Sequence, residues 1–220
     1  MRYALCAFPL IGAVIGALVC LWRFVCLRME FSEWILAAGI CVLPVLVTGG
    51  IHLDGFCDTA DALASHQDTE KKLQILKDPH MGAFAAIWLG CYFIVQFALA
   101  VTAAQTQADL MALAFGYCIS RSLSGLAVAS FPLAKNSGLA YTFAEYADKK
   151  RVRTILSILT VVLCIAVCVF CGIKGIFVSV AAAATFLYYR FRLIGKFGGL
   201  SGDLAGWSYS RFPAAYGPKI

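Results

Sequence analysis

The chain has 220 residues, of which 61% are hydrophobic and 14% charged, against about 45–50% and about 25% in an average soluble domain. A mean hydropathy of +0.83 excludes a water-soluble globule of this size, which cannot hide so much apolar side chain beneath its surface. The formal net charge of +6 reads as membrane orientation, because no basic stretch interleaved with aromatics points to nucleic acid.

A membrane-spanning helix needs about 20 mostly apolar residues, since hydrocarbon satisfies no backbone hydrogen bond. Six stretches meet or approach this in chain order: 3–21, 34–48, 81–103, 110–133, 154–171 and 175–189, the second and sixth being short. The last two are joined only by residues 172–174, a tight helical hairpin. There is no internal repeat and no long linker. The expectation is therefore all-α: one integral-membrane domain over 1–220, a polytopic bundle of about six spans.

Cytoplasmic loops collect Lys and Arg. With the N-terminus inside, alternation puts Arg2, Lys71, Lys72, Lys77, Lys135, Lys149, Lys150, Arg151, Arg153, Arg190, Arg192, Lys196, Arg211 and Lys219 on the inner side. Only Arg23, Arg28 and Lys174 fall outside, and Arg121 lies within a span. This asymmetry predicts both termini in the cytoplasm and a place in the cell membrane. Trp22, Trp34 and Tyr188 are expected as interfacial anchors. Most of the ten cysteines sit in or beside apolar runs without a CxxC pair and behave as small apolar residues.

The acidic residues are less evenly placed. In Thr48-Gly-Gly-Ile-His-Leu-Asp-Gly-Phe-Cys-Asp-Thr-Ala-Asp-Ala-Leu63, Asp54, Asp58 and Asp61 recur at i, i+4, i+7, which on a helix is one face. Three like charges on one face repel, and a divalent cation relieves them. Mg²⁺ suits the pattern, since it takes a few carboxylates together with water and substrate phosphates. A solvated acidic face is the plainer explanation, but Ile51, Leu53, Phe56 and Leu63 surround this one at the end of a span, where a charge is costly. His52 precedes it, and Gly49-Gly50 permits a tight turn or a close approach of backbone to ligand.

Three further places carry polar groups. Lys77-Asp-Pro-His-Met-Gly82 is a turn entering the third span. Lys77, Asp78 and His80 there can serve a phosphate or metal, or Asp78 can simply cap the helix with Pro79 at its first position. Arg121 is too central to escape the membrane easily and is expected to pair with a carboxylate or a substrate phosphate. Asp203, in the glycine-rich run 198–206, falls on the same side as the acidic face and can approach it, or mark a plain surface turn.

The stretch 48–63 closely resembles the signature of the cobalamin synthase (adenosylcobinamide-GDP ribazoletransferase) family. Phe8-Pro-Leu-Ile-Gly12 resembles that family's early Phe-Pro-x-x-Gly, and Leu73 to Phe84 its Leu-x-Ile-x-Lys-Asp-x-x-x-Gly-x-Phe segment. Gly199-Leu-Ser-Gly-Asp203 resembles its Gly-x-Thr-Gly-Asp, with Ser201 for the usual Thr. His80 stands where the family often has Arg, and family members commonly carry a further segment before the first span. The resemblance implies a Mg²⁺-assisted phosphodiester transfer late in nucleotide-loop assembly: a hydroxyl of α-ribazole or its 5′-phosphate attacks the cobinamide-side phosphate of adenosylcobinamide-GDP, and GMP leaves. Asp54, Asp58 and Asp61 would hold the metal, and one of them or His52 would act as base. Lys77, Asp78, His80, Arg121 and Asp203 would bind substrate. The bilayer is the other expected partner, and self-association stays open. Two other classes fit less well. A CDP-alcohol-type phosphotransferase would show Ala-Arg after the second aspartate, where Thr59-Ala60-Asp61 stands. An ion-coupled transporter would show inverted repeats or helices broken at the midplane.

Overall fold

The structure, a computed structural model, describes residues 2–78, 80–133, 139–197 and 199–200. A short 3₁₀ turn (Ala4–Ala7) leads into α1 (Phe8–Arg28), α2 (Glu33–Thr48), α3 (Ile51–Ala64), α4 (Thr69–Ile75) and α5 (Ala83–Ala104). There follow α6 (Gln107–Ser130), α7 (Leu139–Tyr146), α8 (Lys149–Cys171), α9 (Ile173–Tyr188), a π-helical turn (Tyr189–Leu193) and α10 (Ile194–Phe197). Among the described residues no strand forms beyond one isolated bridge, Leu133 with Leu200.

Every predicted span is a helix, but length separates them. Four are long and apolar enough to cross a membrane: Ala4–Arg28, α5, α6 and α8. α2 and α9 have 16 residues each, about 24 Å at 1.5 Å per residue, against a hydrocarbon core of about 30 Å. α2 continues into α3 after a bend of 93°, and the pair makes a broken fifth span or a re-entrant loop. Length and composition thus support four to five of the six expected spans.

The turn itself has a local cause. Gly49 and Gly50 both lie in the left-handed region, at φ 62 and 75, where a Cβ is costly and glycine is not. α2 therefore stops in a left-handed cap, and the chain restarts almost at right angles.

α6 is the central helix. Of its most apolar stretch 61% is buried, against 17% in α5 and in α8, and it packs most extensively on α1 and α8. A Cβ on Gly12 would lie 2.6 Å from the Tyr117 carbonyl oxygen, and one on Gly16 3.0 Å from the Ala114 Cβ. Lipid tails are as apolar as a leucine, so helices in hydrocarbon associate through such close backbone approach at small residues. Ser122 on α6 reaches Thr160 on α8 at 2.7 Å. Trp22 donates its Nε1–H to the Leu36 carbonyl at 3.2 Å and fixes α1 to α2.

The two ends of the bundle differ. At one, Lys174 at the start of α9 meets Asp109 at the start of α6 at 2.5 Å. At the other gather Arg2, whose carbonyl accepts from Asp148 N–H at 3.2 Å, and the Tyr3 hydroxyl, which accepts from Arg151 at 3.0 Å. There too Arg190 lies over the Phe131 ring. α3 lies toward this end, over an apolar cluster that includes Phe56, Ala60, Ala85, Val128 and Leu156.

Candidate active site

α3 is amphipathic in the plainest sense. Gly55, Phe56, Cys57, Thr59, Ala60 and Ala62 are buried, with Phe56 tilted against Tyr92 of α5 at 5.6 Å between ring centroids. At about 100° per residue, Asp54, Asp58 and Asp61 fall within about 60° of arc, so the shared face expected from their spacing forms. Asp54 is exposed, and Asp58 and Asp61 are half-buried.

His52 does not belong to that face. It lies about 160° around the helix from Asp54, and its Nε2 is in hydrogen-bond contact with Arg121 of α6. Arg121 is 3% exposed. The expectation gave this arginine a carboxylate or a phosphate, and a neutral imidazole is among its partners. A guanidinium does not give up its charge in proteins, so the His52 nitrogen facing it is an acceptor. That nitrogen is therefore engaged, and less suited to taking a proton from substrate than a carboxylate on the opposite face.

Asp61 is engaged as well. Its Oδ2 accepts from Gly82 N–H at 2.7 Å and its Oδ1 from Ala85 N–H at 2.8 Å. These are two of the N–H groups that the first turn of α5 leaves without intrahelical acceptors. Asp78 does not cap α5. The helix starts at Ala83, with Gly82 as the capping residue, and the side chain that satisfies it comes from α3.

Asp78 does something more local. Its Oδ1 accepts from His80 N–H at 2.9 Å and lies 2.7 Å from His80 Nδ1. The backbone N–H of His80, then its side chain, hold the Asp78 carboxyl below the ordinary carboxylate range. Asp78, His80 and Lys77 are all exposed, in the turn that Gly82 ties to Asp61. Asp203 lies outside the described residues.

Mg²⁺ needs one or two protein carboxylates and completes its octahedron with water and phosphate oxygens. Asp54 and Asp58, one helical turn apart and reachable from water, fit that role. Among the described residues no group of three or more His, Cys, Asp or Glu side chains is gathered for a metal ion. The pairing of His52 with Arg121 and of Asp61 with α5 could not be read from the sequence. The burial cost of a mid-span charge signals that Arg121 needs a partner without saying which, and a glycine before a span signals nothing by itself.

A bundle of membrane-length helices, with an acidic helix bent 93° from the helix before it, defines the class as an integral-membrane protein. The family model described as cobalamin-5-phosphate synthase matches residues 1–214, and the chain belongs to that family. It is 41% identical over 207 residues to the adenosylcobinamide-GDP ribazoletransferase of Lachnoclostridium phytofermentans, covering 94% of this chain and 78% of that protein. Against the enzyme of the same name from Clostridium perfringens it is 34% identical over 200 residues (91% and 79%). Against that of Pseudomonas syringae pv. syringae it is 30% identical over 200 residues (90% and 79%). No solved structure matches. The chain is an enzyme, a transferase of cobalamin synthesis.

Proposed function

We propose that this chain joins the adenosylcobinamide-phosphate part of adenosylcobinamide-GDP to α-ribazole or its 5′-phosphate and releases GMP. The observation that carries this reading is the family match across nearly the whole chain, coinciding with an acidic helix laid at one end of the bundle. It favours this reaction over a CDP-alcohol-type transfer or ion transport.

In the reaction the ribazole hydroxyl oxygen forms a bond to the cobinamide-side phosphorus. The bond from that phosphorus to the bridging oxygen breaks, and the electron pair leaves with GMP. Such transfers depend on positioning and charge neutralisation more than on covalent help. A bound Mg²⁺ would offset the diphosphate's negative charge and stabilise the departing phosphate. Asp54 and Asp58 are the residues that would hold it. With His52 turned to Arg121, a carboxylate of the Asp54 face is the better acceptor for the hydroxyl proton. Arg121 adds a fixed positive charge in a low-dielectric setting, where it acts strongly. Lys77, on the exposed turn before α5, would meet the outer phosphate oxygens.

The same reading places six passes in the cell membrane with both termini and α3 on the cytoplasmic side. The distribution of basic residues supports it. So does the gathering of Arg2, Arg151 and Arg190 at the α3 end.

The test is direct. Membranes containing the protein, given adenosylcobinamide-GDP, α-ribazole 5′-phosphate and Mg²⁺, should yield GMP and a cobalamin product in equal amounts. GMP without cobalamin, or neither, removes the assignment.

A further inference from the structure

The three carboxylates of α3 share a face, yet they do not share surroundings. Asp61 has both oxygens on backbone N–H groups, those of Gly82 and Ala85, at 2.7 and 2.8 Å. These donors belong to the first turn of α5, where the aligned peptide dipoles carry partial positive charge. The carboxylate thus caps the helix end, whereas Asp54 stands exposed.

Gly82 shows how close the fit is. Its backbone is extended, at φ −82 and ψ 171, a conformation any residue adopts. Glycine is needed there for space alone. A Cβ would stand 2.7 Å from each Asp61 oxygen and 2.8 Å from its Cγ, nearer than real side chains approach. Between the two partners lies the segment from α3 to α5, with α4 and the exposed Lys77, Asp78 and His80.

From this arrangement we infer that Asp61 is a positioning residue. Its carboxylate clasps the start of α5 and so fixes the exposed Lys77, Asp78 and His80 relative to α3, while the exposed Asp54 faces the cation. This rests on the proposed phosphodiester transfer. It divides one acidic motif into two jobs: Asp54 and Asp58 toward metal and diphosphate, Asp61 toward the backbone that carries the phosphate-facing turn.

The experiment compares wild type with Asp61→Asn, Gly82→Ala and Asp54→Asn in detergent or nanodiscs at matched amounts of folded protein. Two things are measured: steady-state kinetics against adenosylcobinamide-GDP and Mg²⁺, and hydrogen exchange of the peptide spanning residues 82–85. Asn keeps one acceptor and turns a donor against the other N–H. Ala at Gly82 leaves the charge intact and pushes the carboxylate away. Both should lower kcat/KM by roughly 10–100-fold, the scale on which misplacing a binding group acts. Both should speed exchange at 82–85 and leave the half-saturating Mg²⁺ concentration within about twofold of wild type. Asp54→Asn should raise that concentration roughly tenfold or more and leave exchange at 82–85 unchanged. A Mg²⁺ requirement in Asp61→Asn shifted as far as in Asp54→Asn overturns the inference, as does Gly82→Ala with wild-type kinetics and exchange. If wild type forms no corrinoid product, the reaction assignment fails. The exchange comparison still decides whether Asp61 holds α5.

Discussion

Arg121 concentrates the residue-scale problem, because a guanidinium buried to 3% exposure in a spanning helix must be matched by polar neighbours. His52 is one of them. Arg121→Ala should lower turnover per folded molecule by roughly 10²-fold, as loss of a fixed transition-state charge does, with less effect on membrane abundance. His52→Ala should do part of the same damage by freeing the guanidinium to shift. The double variant should then be no worse than Arg121→Ala, since residues in contact are not additive. A double variant at the product of the two single losses would mean that the two act separately. Asp58→Asn, which keeps shape and removes charge, should nearly abolish turnover while thermal stability stays level or rises, because one of the like charges on α3 is gone. Matched losses of activity and melting temperature would instead mark a folding defect.

Elements tell how far the sequence could be followed. The helices were legible, because a long apolar run in a hydrophobic chain has one economical structure. The common face of Asp54, Asp58 and Asp61 was legible too, because spacing alone sets it. Contacts between helices were not: nothing in the periodicity of α3 points to Gly82, or tells His52 to face α6. The shortness of α2, with its 16 residues, was legible, but the turn of the chain through 93° after it was not. That turn makes its own prediction. Gly50→Val, a β-branched residue at φ 75, should cost about 1–3 kcal/mol and reduce activity as α3 is displaced. Gly50→Asn, which tolerates the left-handed region, should retain most of both. Gly12→Val tests the α1–α6 contact. With the Tyr117 carbonyl 2.6 Å from the new Cβ, it should lower thermal stability by about 1–3 kcal/mol whether or not substrate is present.

At the scale of the molecule, orientation can be checked in whole cells. Cysteines placed singly at Ser65 and Lys219, after the exposed native cysteines are replaced, should resist an impermeant thiol reagent until the cells are opened. One placed at Glu30, between α1 and α2, should react at once. Labelling of Ser65 from outside would reverse the proposed topology.

The right-angle turn after α2 also reaches beyond the protein. α3 is held by α5 through Asp61 and by α6 through His52 and Arg121, so two helices that cross the bilayer jointly carry a helix that does not follow their direction. Spanning helices meet a change in membrane thickness by tilting. Tilting α5 and α6 against each other would move the two supports of α3 by different amounts. The lipid is then a setting on the catalyst as well as its solvent. In vesicles of graded acyl-chain length, turnover should pass through an optimum while the melting temperature changes little, and Gly82→Ala, with the α5 support loosened, should flatten that optimum.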